Sequence, residues 1–482
     1  MTAHSQGTGR WIALIILCLG DLMIVLDSTV VNVALPSIRS DLGFTEASLV
    51  WVVNAYLLTY GGFLLLGGRL GDLYGHRRMF VIGIVAFTIA SLACGLASSQ
   101  GLLIAARAVQ GVGGAVVSAV ALSLIMLLFP DEGERAKAMG VFGFVMAGGG
   151  TIGVLMGGLL TDLLTWHWVF LINIPVGAVI VPLCLALVPD DHAGGKDQKL
   201  DVGGAITVTL SLLLAVYAIV DGNEAGWGSA QTVGLLVAAA VLMALFLIIE
   251  LKVSHPLMPL GLFRLRNLTV ANVAGVLWAA AMFAWFFLSA LYLQLVLNYT
   301  PMEVGLAFLP GNLIMGAFSL GLSAKLVTRF GIRGPLAVGL LLAAAGLALF
   351  ARAPVDGTFW IDVMPGMTLL GLGAGIAFNP ILLAAMNDVG PSESGLASGV
   401  VNTSFMMGGA LGLAILASLS AARTTGALAA GAAMPVALNE GYRLAFLVGA
   451  VCAAVAGALA FLLRPPPAAA EPAGTPAPAE AE

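Results

Sequence analysis

The sequence predicts an all-α membrane protein with fourteen transmembrane helices in a 6+2+6 arrangement. Three observations predict it: a composition too apolar for water, apolar runs of span length along the whole chain, and an internal repeat. Of 482 residues, 60% are hydrophobic and 9% are charged, and the mean hydropathy is +1.04. Soluble domains carry about 25% charged residues. So little polar surface cannot cover so apolar a core, and the solvent must be lipid. The net charge of −5 sums charges on two sides of a membrane and identifies no partner. Lys and Arg form no basic face, which excludes nucleic acid as a partner. Cys18, Cys94, Cys184 and Cys452 each fall inside an apolar run without CxxC spacing. They read as small buried hydrophobes rather than as metal ligands or a disulfide frame.

Runs of about 20 apolar residues suffice to span a bilayer, and they follow one another in order. The first, 11–34, contains Asp21 and Asp27 and is too long for a cleaved signal peptide. Next come 48–68, 79–98, 102–128 (with Arg107), the glycine-rich 137–161, and 168–188. The runs 202–220 and 232–251 stand between the halves of the chain. The aromatic-rich 268–297 is followed by 304–325, 334–352, 361–386, 396–421 and 442–463. The runs 102–128, 268–297 and 396–421 are long enough to require tilt or interfacial ends. The Pro/Ala-rich tail, 464–482, is expected to be disordered.

Loop charge sets the orientation. With the N-terminus inside, fifteen Lys and Arg fall on the inner side: Arg10, Arg69, Arg77, Arg78, Arg135, Lys137, Lys196, Lys199, Lys252, Arg264, Arg266, Lys325, Arg329, Arg333 and Arg464. Four fall outside: Arg39, Arg352, Arg423 and Arg443. This bias places both termini in the cytoplasm.

The second half echoes the first. "LYGHRR" at 73–78 matches "RFGIRG" at 329–334, and "VQGVGGA" at 109–115 matches "LLGLGAG" at 369–375. "ERAKAMGVFGFVMAGGG" at 134–150 matches "SGLASGVVNTSFMMGGA" at 394–410. The glycine offsets are nearly constant: 256 from Gly75 to Gly331, 260 from Gly111 to Gly371, 259 from Gly140 to Gly399. Duplication accounts for that. It divides the chain into a six-helix bundle at 1–190, a two-helix insert with linkers at 191–266, a second six-helix bundle at 267–463, and the tail. Transporters are often built from such repeats, with the substrate site at the repeat interface.

"GGRLGDLYGHRRMF" at 67–80 packs charge and glycine between two apolar runs. Gly68, Leu70, Asp72, Gly75, Arg77 and Arg78 within it resemble the loop signature of the major facilitator superfamily. "LDSTVVNVALP" at 26–36, "RAVQGVGGA" at 107–115 and "WHWVFLINIP" at 166–175 resemble segments of its fourteen-span drug:proton antiporters. The resemblance covers nearly the whole chain and implies the major facilitator fold. Gly71 and Gly75 suit a tight turn, and Arg77 and Arg78 would anchor the next span at an anionic surface. By resemblance, Arg69, Asp72, Gly75, Arg77 and Arg78 form a gate. Asp72 is expected to meet Arg69 or Arg77 and a helix N-terminus of the other half in one access state; the alternative is a solvated topology anchor. "GGGTIGVLMGGLL" at 148–160 resembles the antiporter span 5 signature, with Gly149, Gly153, Gly157 and Gly158 as a packing ridge and hinge. Val154 stands where that signature has proline, and His167 where the segment before span 6 has arginine.

Of the 45 charged residues, Asp21, Asp27 and Arg107 alone are expected well inside spans. Each costs roughly 2.5–3.5 kcal/mol there and so faces a cavity or a partner. Six residues separate Asp21 from Asp27, turning them about 120° apart on one helix. The resemblance makes Asp27 a titrating or substrate-facing carboxylate, with Asn32 beside it as a hydrogen-bonding group; the alternative is a structural carboxylate capped by neighbouring groups. Asp21 is a second proton site or a partner of Arg107. Arg107 either stabilises a nearby carboxylate, and so couples proton loss to rearrangement, or only ties helices together; Gln110 shares its face at i+3. Trp278, Phe283, Trp285, Phe286, Tyr292 and Gln294 crowd the ninth run. A few are expected to line a cavity and most to face lipid or anchor at the interface.

Taken together, the residues describe a secondary transporter, not an enzyme, that exports drugs or other amphipathic molecules against protons. It is expected in the cell membrane as a monomer without cofactor. No GxxxxGK[ST] loop supplies ATP binding. Import by proton symport is the alternative. An enzyme or receptor on this scaffold is remote, because His4, His76, His167, His192 and His255 lie in loops or near span ends without ligand spacing.

Overall fold

In lipid a single apolar run can satisfy its own backbone only as a helix. The computed structural model describes residues 3–190, 201–254, 256–389 and 394–464, and among them there is no β-strand. The linker lysines Lys196 and Lys199 and the tail beyond Arg464 lie outside the described residues. The first six crossings are α1 (Ala3–Leu42), α2 (Trp51–Tyr74), α3 (His76–Gly95), α4 (Gln100–Leu128), α5 (Glu132–Leu163) and α6 (Trp168–Leu187). A central pair follows, α7 (Val202–Ala225) and α8 (Ala230–Lys252). The remainder comprises α9 (Arg266–Leu291), α10 (Pro301–Ala317), α11 (Ser323–Phe330) and α12 (Arg333–Phe350). After these come α13 (Met364–Met386), α14 (Ser394–Ala429) and α15 (Met434–Leu459).

Side chains mark several helix starts. Ser99, Asp131, Asp201 and Ser229 each accept a hydrogen bond from an amide three residues on, and Thr300 and Glu303 form a reciprocal capping box. Gly75 joins α2 to α3 at φ 91°, and Gly331 joins α11 to α12 at φ 72°. Positive φ is inexpensive for glycine alone, so the two glycines matched by the repeat perform the same turn.

Thirteen helices among the described residues are long and apolar enough to cross a membrane. The expected tenth run, 304–325, is not one of them, which corrects the reading of it as a continuous helix. A π turn at Phe318–Leu322 parts α10 from α11, and Gly321 leaves helical geometry there. Pro310 in α10 also lacks an amide donor. The fourteenth crossing is therefore α10 and α11 together.

α1 packs on α5, while α2 and α3 pack on α4. On the other side α9 packs on α14 and α15, and α12 on α13 and α15. The two sets meet along two seams, α5 against α10 and α2 against α14. α7 lies over the second seam and touches both α2 and α14, with α8 against it. Ile89, Val109, Val179 and Val241 are exposed on the outside of the bundle; this apolar exterior suits acyl chains.

The span 5 glycines divide by partner. A Cβ on Gly149 would sit 2.9 Å from Leu22, and one on Gly157 2.7 Å from the Val30 carbonyl; Gly153 abuts Thr29. These three seat α5 on α1. Gly158 instead faces the other half, where a Cβ would lie 2.7 Å from the Pro301 carbonyl. With Val154 in the proline position, α5 runs unbroken from Glu132 to Leu163. Gly157→Leu is expected to lower stability by about 1–3 kcal/mol through overpacking, read as a lower thermal unfolding midpoint of the purified chain. Gly150→Leu, at a position with open space, should leave the midpoint near wild type.

Candidate functional site

α1 presents its two carboxylates to different neighbours, as their spacing requires. Asp27 points between α3, α4 and α6. Its Oδ2 pairs with Arg107 Nη1, and both side chains are wholly buried. Its Oδ1 accepts hydrogen bonds from Gln110 Nε2 at 2.7 Å and Asn173 Nδ2 at 3.0 Å. Ser91 Oγ accepts from the same two amides at 2.8 and 3.2 Å. Arg107 Nη1 also donates to Gln110 Oε1 at 2.7 Å, and its Nε to the Val52 carbonyl at 2.9 Å. The guanidinium lies 4.4 Å from the Tyr56 ring centroid and 5.6 Å from that of Phe170, positions that favour a cation. Cys94 Sγ donates to Gln110 Oε1 at 3.7 Å. Three donors surround the Asp27 carboxylate, so this cluster suits the charged form.

Asp21 is just as buried but poorly served. Its Oδ1 accepts from Ser118 Oγ on α4, while Oδ2 has no hydrogen-bond partner. A buried carboxylate with one hydroxyl donor is better matched by its neutral acid. Tyr56 and Tyr60 stand between the two clusters. Their rings stack at 5.7 Å, Tyr56 lies against Arg107, and Tyr60 is within electrostatic reach of Asp21.

The pairing of Arg107 with Asp21 is thus corrected: its partner is Asp27. Asn32 does not join the cluster either. Its amide donates to the carbonyls of Ser28 and Thr29 on its own helix. Asn173 and Ser91 went unrecognised as site residues. Asn173 stood within "WHWVFLINIP" as a lone amide among apolar residues, which was a usable signal; Ser91 gave none. His167 stacks on Trp166 with ring centroids 3.8 Å apart, away from this site. The ninth-run aromatics are also corrected. Trp278, Trp285 and Tyr292 are buried on α9 or just beyond it, where most were expected to face lipid.

In the α2–α3 loop, Asp72 Oδ1 lies 3.2 Å from His76 Nε2; its pairing with Arg69 or Arg77 is expected in one access state alone. Arg77 forms an ion pair with Asp190 at 2.7 Å and donates to the Val188 carbonyl, tying α3 to the end of α6. Arg69 is half-buried near the end of α2, and Arg78 is exposed.

The seams differ at their two ends. Toward the face where α1 ends, the halves are joined. Asn54 Nδ2 donates to the Ala410 carbonyl at 2.9 Å, and Gln294 Nε2 to the Val33 carbonyl at 2.8 Å. Ser420 Oγ lies 3.4 Å from Glu46 Oε1. Toward the face that carries the α2–α3 loop, Phe144 and Leu322 are exposed, and Cβ atoms on Gly140, Gly143 and Gly148 would meet open space. At the second face α2 still meets α14, where Leu65 abuts Gly399, while α5 is exposed.

Residues 17–413 match the family described as the Major Facilitator Superfamily. The chain is 40% identical over 448 residues to the puromycin resistance protein pur8 of Streptomyces alboniger, covering 91% of this chain and 89% of that protein. It is 36% identical over 418 residues to the cephamycin export protein CmcT of Amycolatopsis lactamdurans, with 86% of each covered. In fold it resembles the crystal structure of a mutant of the nucleoside transporter NupG, with a TM-score of 0.64 at 13% identity over 94% of this chain and 100% of that one.

Proposed function

The chain belongs to the Major Facilitator Superfamily, and from that premise we propose that it is a proton-driven exporter of amphipathic drugs working by alternating access. Similarity to named resistance and export proteins across nearly its full length supports the substrate class. Both termini are cytoplasmic in this reading, following the loop charges. The joined face is then external, and the opposite face, where α5 is exposed, admits substrate from the cytoplasm or inner leaflet. The drive is a proton gradient, with no cofactor.

One observation carries the coupling: Asp21 is sealed in the first bundle with one hydroxyl donor and an unpartnered oxygen. Asp21 takes up the proton, while Asp27 and Arg107 remain an ion pair that couples movement of α1 to α4. Movement of α1 that admits water to Asp21 favours its charged form and releases the proton. The tyrosine pair transmits that change to the Asp27 cluster. Asp21→Asn is expected to insert normally and to abolish proton-driven accumulation of puromycin in everted vesicles acidified inside. Wild-type accumulation by that variant would overturn the assignment. Accumulation that requires acid outside everted vesicles would instead establish import.

A further inference from the structure

Asp201 and Glu250 were not expected to be buried charges, yet they are only 6% and 4% exposed. Asp201 caps α7 through Oδ1, which accepts from the Gly204 amide at 2.8 Å. Glu250, near the end of α8, accepts from the Met258 amide through Oε2 at 3.0 Å. Their other oxygens, Asp201 Oδ2 and Glu250 Oε1, have no hydrogen-bond partner. Both point at one spot. A Cβ on Gly204 would lie 2.5 Å from the first and 3.0 Å from the second, so the two oxygens are at most about 5.5 Å apart. Among the described residues Asp201 is the charged group facing Glu250, and the amides of Leu257 and Met258 are its remaining polar partners. The side chains packed around Leu257 and Met258 from α2, α9 and α14 are apolar: Leu65, Leu66, Leu268 and Val400.

Two buried carboxylates this close disfavour being ionised together. Nor can either ionised group donate to the other, which leaves both inner oxygens orphaned at a cost. A single proton removes both penalties. We propose that Asp201 and Glu250 share one proton, carried on Glu250 Oε1 and donated to Asp201 Oδ2, as a proton-binding site separate from those on α1. Asp201 is the anionic member, since it caps a helix N-terminus.

The site has mechanical consequences because Glu250 holds Met258. The strap from α8 to α9 lies across a seam. Leu257 packs with Leu66 of α2 and Ala205 of α7. Met258 packs against the cluster of Leu262, Leu268, Ala397 and Val400, which joins α9 to α14. Loss of the proton puts two like charges together and frees the Met258 amide, loosening the strap from both halves. The central helix pair thus has a task of its own, whatever the solute transported.

Hydrogen–deuterium exchange over 256–264, corrected for intrinsic rate, tests it on the full chain in lipid nanodiscs. Wild type should lose protection by about tenfold per pH unit once the shared proton leaves. Glu250→Gln, whose amide donates to Asp201 and accepts from Met258, should stay protected at every pH. Glu250→Ala should be unprotected throughout. Infrared titration should show a protonated carboxyl band that persists in Asp21→Asn and vanishes in Glu250→Gln. A wild-type exchange profile in Glu250→Gln, or a band unchanged by that substitution, would overturn the proposal.

Discussion

Arg107→Met is expected to destabilise the protein by about 3–5 kcal/mol and to abolish transport, because it leaves Asp27 as a buried charge without its counter-ion. The neighbouring amides cannot compensate. Gln110 and Asn173 are already engaged with Asp27 and Ser91, and Gln110 Oε1 would lose its Arg107 donor. The Tyr56 ring would also lose the cation beside it. Replacing both partners removes the unpaired charge, so Asp27→Leu with Arg107→Met should recover much of the stability. Transport should stay absent if the pair couples α1 to α4. Unfolding midpoints and vesicle uptake, measured on all three variants, separate the two roles. A double variant that transports would reduce the pair to a helix tie.

A second large effect is expected at the joined face, at Glu46 in the loop between α1 and α2. Burial pushes its carboxyl up to about 7 from 4.5, against the pull of Arg39 and of the Ser420 and Thr424 hydroxyls. When the halves part, Glu46 meets water and returns toward its ordinary value. The closed face therefore binds the proton more tightly than the open one. Its stabilisation is complete below about 4.5, falls as pH rises through about 7, and is gone above that. The ratio of closed to open molecules should fall by up to roughly two orders of magnitude across that window. Pulsed EPR distances between labels on the C-terminal ends of α1 and α14 would report it. Glu46→Gln should flatten the pH dependence and hold the face closed. An unchanged pH profile in that variant would remove Glu46 from the gate.

Much of the architecture was legible in the sequence. Apolar runs of span length must become helices in lipid, so thirteen crossings stood where hydropathy put them. Gly75 was readable as a turn, and Gly331 as its counterpart in the repeat, because glycine takes such backbone angles readily. Asp21, Asp27 and Arg107 were conspicuous because charge inside a span is costly. Spacing along α1 even required its two carboxylates to face different neighbours.

Choosing those neighbours fell to the tertiary structure. Helical periodicity gives a direction around α1, but not which helix stands there. That α3, α4 and α6 converge on Asp27 while, among the described residues, only Ser118 donates to Asp21 follows from how the bundle closes. α9 is apolar around its whole circumference, so no stripe told its buried rings from lipid-facing ones. Asp201 and Glu250 sit at helix ends, where charge ordinarily meets water. Only the return of the strap across them makes the site dry. Span content is a local property of the chain in a fixed solvent, whereas partnership and burial depend on contacts between residues far apart in sequence.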